Sequence, residues 1–291
     1  MDPIANELEE KLRRRGRYRL FRHRKVPVRA LVPNFFTLLG LCAGLTAIRM
    51  ALESRYDWAI GLIALAAFLD GIDGRLARLL KVTSRFGAEL DSLADFVNFG
   101  VAPAVVIFIW GLQGQKSLGW IVVMIFALCS AMRLARFNAA IEDDRPKWQS
   151  NYFTGMPTPA AAIVVLLPLY VERTFELESA QLRPFVPLIL AFTLLIAFLM
   201  VSTLPTYSGK LLHERISRDY VMPLFVAAML VVALLLTYPF PTLSVLSLLY
   251  LGSIPISVRR FVAHQRTVET SAEEEARRLG GNHLGGSEMK H

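Results

Sequence analysis

Long apolar stretches, each broken by a short polar or basic turn, run along the chain from about residue 31 to residue 258. A helix needs roughly 20 apolar residues to cross about 30 Å of hydrocarbon. Eight segments reach that length: 31–52, 57–79, 92–113, 117–138, 155–172, 185–206, 220–238 and 241–258. The pattern therefore predicts an all-α, polytopic transmembrane helical bundle of about eight spans. Only a turn around Tyr238, Pro239, Phe240 and Pro241 separates the last pair, but one unbroken helix there would far exceed a bilayer.

Charge tests this layout. Of the 32 Lys and Arg residues, 27 fall in the segments 1–30, 75–90, 133–150, 207–219 and 259–291. The exceptions are Arg49, Arg55, Lys116, Arg173 and Arg183. So uneven a split is a positive-inside signal, and it predicts an even number of spans with both termini in the cytoplasm. Composition agrees, with 54% hydrophobic and 19% charged residues and a mean hydropathy of +0.43, yet a net charge of +8. This disfavours an ordinary soluble enzyme. Nucleic acid is not an expected partner, because no folded reading module accompanies the basic residues.

Residues 1–30 form a basic juxtamembrane arm, with Leu12, Tyr18, Leu20 and Phe21 interleaved among its charges. It reads either as a topology anchor or as a helix lying on an anionic leaflet. The tail 259–291 is charged and then glycine-rich, and is expected to be disordered. Cys42 and Cys129 fall inside predicted spans, where buried apolar packing is the expected role for each.

The chemistry is concentrated between Leu69 and Phe99, where Asp70, Asp73, Asp91 and Asp95 lie at membrane-helix ends. An aspartate at a helix centre costs about 2.5–3.5 kcal/mol on insertion, so a cluster of them implies a function. At about 100° per residue, Asp70 and Asp73 point about 60° apart and Asp91 and Asp95 about 40° apart. Each pair thus shares a helix face. The polar connection from Arg78 to Gly87 reverses the chain, so both pairs meet at one membrane depth. Facing carboxylates repel unless cations lie between them, and hard oxygen ligands suit Mg²⁺ or Mn²⁺. Gly71, Gly74 and Ala77 leave a shallow face where a ligand or a neighbouring backbone can approach, and Arg78 reads either as a partner for a phosphate oxygen or as a positive-inside charge.

The segment reads D-x2-D-G-x2-A-R-x8-G-x3-D-x3-D at Asp70, Asp73, Gly74, Ala77, Arg78, Gly87, Asp91 and Asp95. This resembles the signature of the CDP-alcohol phosphotransferases, integral membrane enzymes of phospholipid synthesis. The resemblance implies transfer of a phosphatidyl group from CDP-diacylglycerol, or a related donor, to an alcohol, with release of CMP. It implies that Asp70, Asp73 and Asp91 hold two divalent ions, and that Asp95 helps hold metal and acts as general base. It assigns Gly74, Ala77, Arg78 and Ser84 to the CDP moiety, with Asn34 and Thr37 of the first span lining the nucleotide pocket. The membrane domain 31–258 would then be the catalytic domain, a six-helix family core plus two C-terminal helices, and a homodimer is implied.

The acceptor rests on residues further along the same face. The stretches SLADFVNFGVAPA, CSAMRLARFNAA and NYFTGMPTPAAA resemble the branch of the family that uses L-serine and makes phosphatidylserine. Serine carries a carboxylate that needs a cationic partner, and Asn98, Arg133 and Arg136 are the candidate contacts. Glycerol 3-phosphate, inositol phosphate or choline are the alternative acceptors. A cation-coupled transporter is the alternative of another class, disfavoured because the carboxylates cluster at one interface and not at the midplane. Membrane lipid is the expected surrounding, in a bacterial inner membrane with the site on the cytoplasmic side.

Overall fold

The structure, a computed structural model, describes residues 31–80, 84–140, 152–177, 183–207 and 218–259. The basic arm and all but the first residue of the C-terminal tail lie outside the described residues. Helix α1 (Leu31–Leu52) and helix α2 (Tyr56–Leu80) pack against each other along their length. The buried face of α1 is a stripe of small residues, Pro33, Thr37, Gly40, Gly44, Ala47 and Ala51, at helical spacing. Small side chains let two backbones approach closely, which is how helices associate without a hydrophobic driving force in lipid. The facing stripe of α2 is Ala59, Ile63, Ala66, Leu69 and Asp73. An aspartate therefore ends a row that otherwise only packs.

Helix α3 (Arg85–Asp95) continues through wide π turns over Phe96–Val101, helix α4 (Ala102–Ile107) and a second π stretch (Phe108–Leu112). A 3₁₀ turn (Gln113–Gln115) then leads into helix α5 (Lys116–Ala140). If straight, the helical run of 55 residues from Arg85 to Ala139 would span about 82 Å, far more than a bilayer. It is folded back at Lys116, whose φ of 48° and ψ of −119° break the helix. The Phe108 and Trp120 rings meet at 5.2 Å, where an unbroken helix would hold them about 18 Å apart.

Helices α6 (Thr158–Val165) and α7 (Leu167–Phe175) are one apolar rod interrupted at Leu166, because Pro168 lacks the N–H to continue it. Helix α8 (Val186–Val201) packs on α5 and α6. Strands β1 (Tyr152–Thr154) and β2 (Pro205–Tyr207) pair antiparallel with Phe153 opposite Thr206, a three-residue clasp on an otherwise helical molecule. Helix α9 (Arg218–Thr237) leads into helix α10 (Pro239–Arg259), with only a bend at Tyr238 between them.

The core gathers Ile63, Phe126, Leu166, Tyr170, Ile196 and Met200 at the centre of the bundle. The outside carries large exposed apolar side chains such as Phe35, Trp58, Phe68, Leu128 and Phe198, the surface of a helix bundle solvated by lipid. Cys42 is among the exposed positions, contrary to the expected burial, because small residues occupy the whole packed stripe of α1. Cys129 is half-buried.

The architecture is thus a polytopic helical bundle, with the short β1–β2 clasp as the one departure from helix among its described elements. Four described runs have the length and hydropathy of a membrane crossing, namely Leu31–Leu52, Arg85–Ala139, Thr158–Phe175 and Pro239–Arg259. Val186–Val201 and Val221–Thr237 are shorter apolar helices. Helix α2 has the length, but its C-terminal turns carry Asp70, Asp73, Arg75 and Arg78. Among the described residues, four runs thus have the length and hydropathy of a crossing, and one of them, Arg85–Ala139, folds back at Lys116.

Candidate active site

The packed seam between α1 and α2 delivers Asp73 to the motif end of the bundle. Asp73 is only 4% exposed, and its carboxylate accepts the Thr37 hydroxyl at 2.7 Å. A carboxylate this deep is tolerable only with hydrogen-bond partners or cations at hand.

Helix α3 enters beside this seam. Ser84 is its N-cap, in extended backbone conformation, and its Oγ accepts the Gly87 N–H at 3.0 Å. This side chain satisfies one of the helix's open donors. Gly87 is pressed against α1. A Cβ at that position would lie 2.9 Å from Asn34 Oδ1 and 3.1 Å from Ser84 Oγ. The first turn of α3 can approach Asn34 this closely only because residue 87 has no side chain.

Between these elements lies a cleft of about 420 Å³. Asn34, Thr37, Gly74, Ala77, Arg78 and Ser84 all line it, together with Asp73, Gly87 and Asp91. Every position assigned from the motif to the CDP moiety thus borders one cavity. Nothing lies within 4 Å of where a Gly74 side chain would project, so that wall is open to a ligand. The Nε of Arg78 donates to the Gly74 carbonyl at 3.0 Å, which holds the guanidinium at the rim. A capped helix N-terminus, a guanidinium and open backbone form a surface suited to a phosphate group.

Asp70, Asp91 and Asp95 converge beside the cleft. Each offers a carboxylate oxygen, and these oxygens all lie within 4.8 Å of one another. The three are half-buried, and the Asp70 and Asp95 carboxyl groups touch. A set of hard, clustered oxygen donors at a polar interface fits a hard divalent cation. Three of the four expected aspartates thus meet at one point, and Asp73, engaged by Thr37, shares the cleft wall with Asp91.

The candidate acceptor residues separate further, and none of them lines the cleft. Asn98 is 2% exposed and seated against Gly40 and Gly44 of α1, where a Gly44 side chain would collide with its amide. Arg133 is 8% exposed, within electrostatic reach of Asp95, with its guanidinium 5.6 Å from the centre of the Phe137 ring. Arg136 is exposed and donates to the Val201 carbonyl at 2.7 Å, tying α5 to the end of α8. Asn138 in turn donates to Ser92 at 2.9 Å, joining α5 to α3.

Sequence reasoning missed Pro33 and Ala88 as cleft walls and Gly44 as the seat of Asn98. Gly44 could have been found from the small-residue stripe. Pro33 and Ala88 carry no chemical signal beyond standing next to Asn34 and Gly87.

Residues 30–203 match the family model described as CDP-alcohol phosphatidyltransferase, and residues 219–255 match one described as CDP-alcohol phosphatidyltransferase 2. Among curated proteins, the chain is 39% identical over 230 residues to a CDP-diacylglycerol–serine O-phosphatidyltransferase of Mycobacterium leprae, covering 78% of this chain and 74% of the relative. It is 38% identical to the protein of that name in Mycobacterium tuberculosis, covering 79% and 78%. It is 33% identical to the one in Helicobacter pylori, covering 76% and 88%.

Proposed function

Because the chain belongs to the CDP-alcohol phosphatidyltransferase family, we propose that it transfers the phosphatidyl group of CDP-diacylglycerol to the hydroxyl of L-serine, giving phosphatidylserine and CMP. The observation that carries this reading is the meeting of Asp70, Asp91 and Asp95, within 4.8 Å of one another, beside a cleft bordered by Asn34, Thr37, Gly74, Ala77, Arg78 and Ser84.

In this reading the cytidine and pyrophosphate of the donor occupy the cleft. Arg78 and the first turn of α3 hold phosphate oxygens, and Asn34 and Thr37 border the nucleotide from α1. Asp70, Asp73 and Asp91 would hold divalent cations, Mg²⁺ or Mn²⁺, with Asp95 assisting. Such ions, when bound, supply neutralisation of the pyrophosphate and of the departing CMP. Asp95 accepts the proton of the serine hydroxyl. The serine oxygen then forms its bond to the phosphorus that carries diacylglycerol. The bond from that phosphorus to the bridging oxygen breaks, and CMP leaves with that oxygen. Arg133, buried near Asp95, holds the serine carboxylate, while Asn98 and Arg136 shape that side of the site through packing and α5–α8 contact.

The topology follows the same reading. The bundle crosses a bacterial inner membrane about eight times, with the basic arm, the tail and the site on the cytoplasmic side, and works as a homodimer. The segregation of 27 of the 32 basic residues supports this orientation.

The test is a transfer assay on the purified full-length protein with CDP-diacylglycerol, a divalent cation and a panel of labelled alcohols. Serine should be the acceptor incorporated into lipid, and a chelator should abolish CMP release until Mg²⁺ or Mn²⁺ is restored. Incorporation of glycerol 3-phosphate, inositol phosphate or choline in place of serine would reject the acceptor. Absence of CMP release with every alcohol would reject the reaction.

A further inference from the structure

Asn138, in the last turn of α5, donates from Nδ2 to the Ser92 Oγ at 2.9 Å. Ser92 in turn donates to the Ala88 carbonyl at 3.1 Å, one turn earlier on α3. The hydroxyl thus spends its one proton on its own helix and receives Asn138 with a lone pair. Ser92 is the residue directly after Asp91, and Ala88 is a wall of the donor cleft.

Helical spacing says what this bond holds. Taking Asp91 as zero, Gly87 lies at about −40° around the α3 axis, Asp95 at about +40° and Ser92 at about +100°. Gly87 is pressed against Asn34 of α1, and Ser92 is bonded to Asn138 of α5. Asp91 and Asp95 therefore project between a fastening to α1 and a fastening to α5. Helix α5 is itself steadied there, since Arg136 donates to the Val201 carbonyl at 2.7 Å.

A short helix needs both fastenings. Helix α3 has 11 residues and passes straight into the π turns of Phe96–Val101, where the regular α-helical ladder is interrupted. Side-chain ends lie about 5–6 Å from a helix axis, so a rotation of about 20° would carry a carboxylate oxygen through about 2 Å. Mg²⁺ demands near-ideal octahedral geometry with oxygens at about 2.0–2.1 Å. Oxygens of Asp70, Asp91 and Asp95 that all lie within 4.8 Å of one another would be dispersed by such a swing.

We infer that Asn138 is a positioning residue for divalent-cation binding, which fixes the rotation of α3 through Ser92 so that Asp91 and Asp95 stay turned toward Asp70. This rests on the reading of the aspartate cluster as a cation site, and it extends that site to a residue on α5, outside the aspartate motif.

The experiment measures Mn²⁺ binding by electron paramagnetic resonance, on full-length protein in detergent with no substrate present. Wild type, Asn138→Ala, Ser92→Ala and the double variant are compared, with thermal unfolding recorded on the same samples. The Mn²⁺ Kd of Asn138→Ala should rise about threefold, the scale of one neutral hydrogen bond whose donor is exposed, with thermal unfolding little changed. The double variant should bind no more weakly than Ser92→Ala alone, because either change removes the same bond. The serine and CDP-diacylglycerol KM values of Asn138→Ala at saturating Mn²⁺ should match wild type. An unchanged Kd in Asn138→Ala overturns the inference. So do losses that multiply in the double variant, or a weakened Kd that appears only together with a lowered unfolding temperature. A wild-type protein that binds no Mn²⁺ overturns the inference together with the cation site. The transfer reading fails separately, through a wild-type protein that binds Mn²⁺ yet releases no CMP.

Discussion

The Thr37 hydroxyl donates to the Asp73 carboxylate at 2.7 Å across the packed seam of α1 and α2. One residue belongs to a stripe whose other members only pack, and the other to the row of aspartates proposed to carry the chemistry. The contact fixes how a helix without acidic residues meets the site, and it brings Asn34, one turn earlier on α1, to the cleft.

Removing that hydroxyl while keeping the shape should therefore weaken donor binding more than the fold. Thr37→Val is expected to raise the KM for CDP-diacylglycerol about tenfold, given that a hydrogen bond to a charged group is worth about 1.5–3 kcal/mol. Thr37→Ser should stay near wild type. Steady-state kinetics at saturating acceptor measures both, and a neutral valine variant would show that the contact has no bearing on the donor.

Gly87→Ala should strike the same pocket from the α3 side. The added methyl would lie 2.9 Å from Asn34 Oδ1 and 3.1 Å from Ser84 Oγ, so α1 and the cap must separate. Overpacking of this kind costs about 1–3 kcal/mol. The expected result is weaker CDP-diacylglycerol binding with the acceptor KM little changed. Isothermal titration with a CDP-linked lipid reads it directly.

Gly44→Ala tests the seat of Asn98, since the new methyl would overlap the Asn98 side chain. Thermal unfolding in detergent should shift down by the equivalent of about 1–3 kcal/mol. Asn98→Ala in the same chain should recover part of that loss, because residues in contact are not additive. Strict additivity in this cycle would mean that the two residues do not meet.

Much of this was legible in the sequence, and particular residues show why. Asp70, Asp91 and Asp95 announce themselves because isolated carboxylates in an apolar chain are costly, and helical spacing groups them before any coordinates exist. Asn34, Thr37 and Ser84 entered through the family signature, and in the fold they border one cleft with Gly74 and Arg78. The partition of the aspartates was not legible. Spacing alone says that Asp70 and Asp73 share a face, but which of them turns to the cluster and which to Thr37 depends on the depth at which α1 packs. Arg133 and Arg136 looked equivalent, three residues apart on one helix. The fold distinguishes them: Arg136 is taken by the Val201 carbonyl of α8, while Arg133 is buried beside the Phe137 ring. Cys42 was misjudged because an apolar span has no polar face to show which side packs. Small residues, not the most apolar ones, mark the interface.

The central claim is that the aspartate cluster carries out phosphatidyl transfer with Asp95 as the base, and Asp95→Asn tests it most directly. Wild-type and variant protein should be compared for CMP released and phosphatidylserine formed from CDP-diacylglycerol and serine, with thermal unfolding recorded on the same samples. The variant should keep an intact fold and lose about 10²–10⁴ in rate, the contribution of a positioned general base. A folded Asp95→Asn protein that turns over within about threefold of wild type, far inside that range, would contradict it.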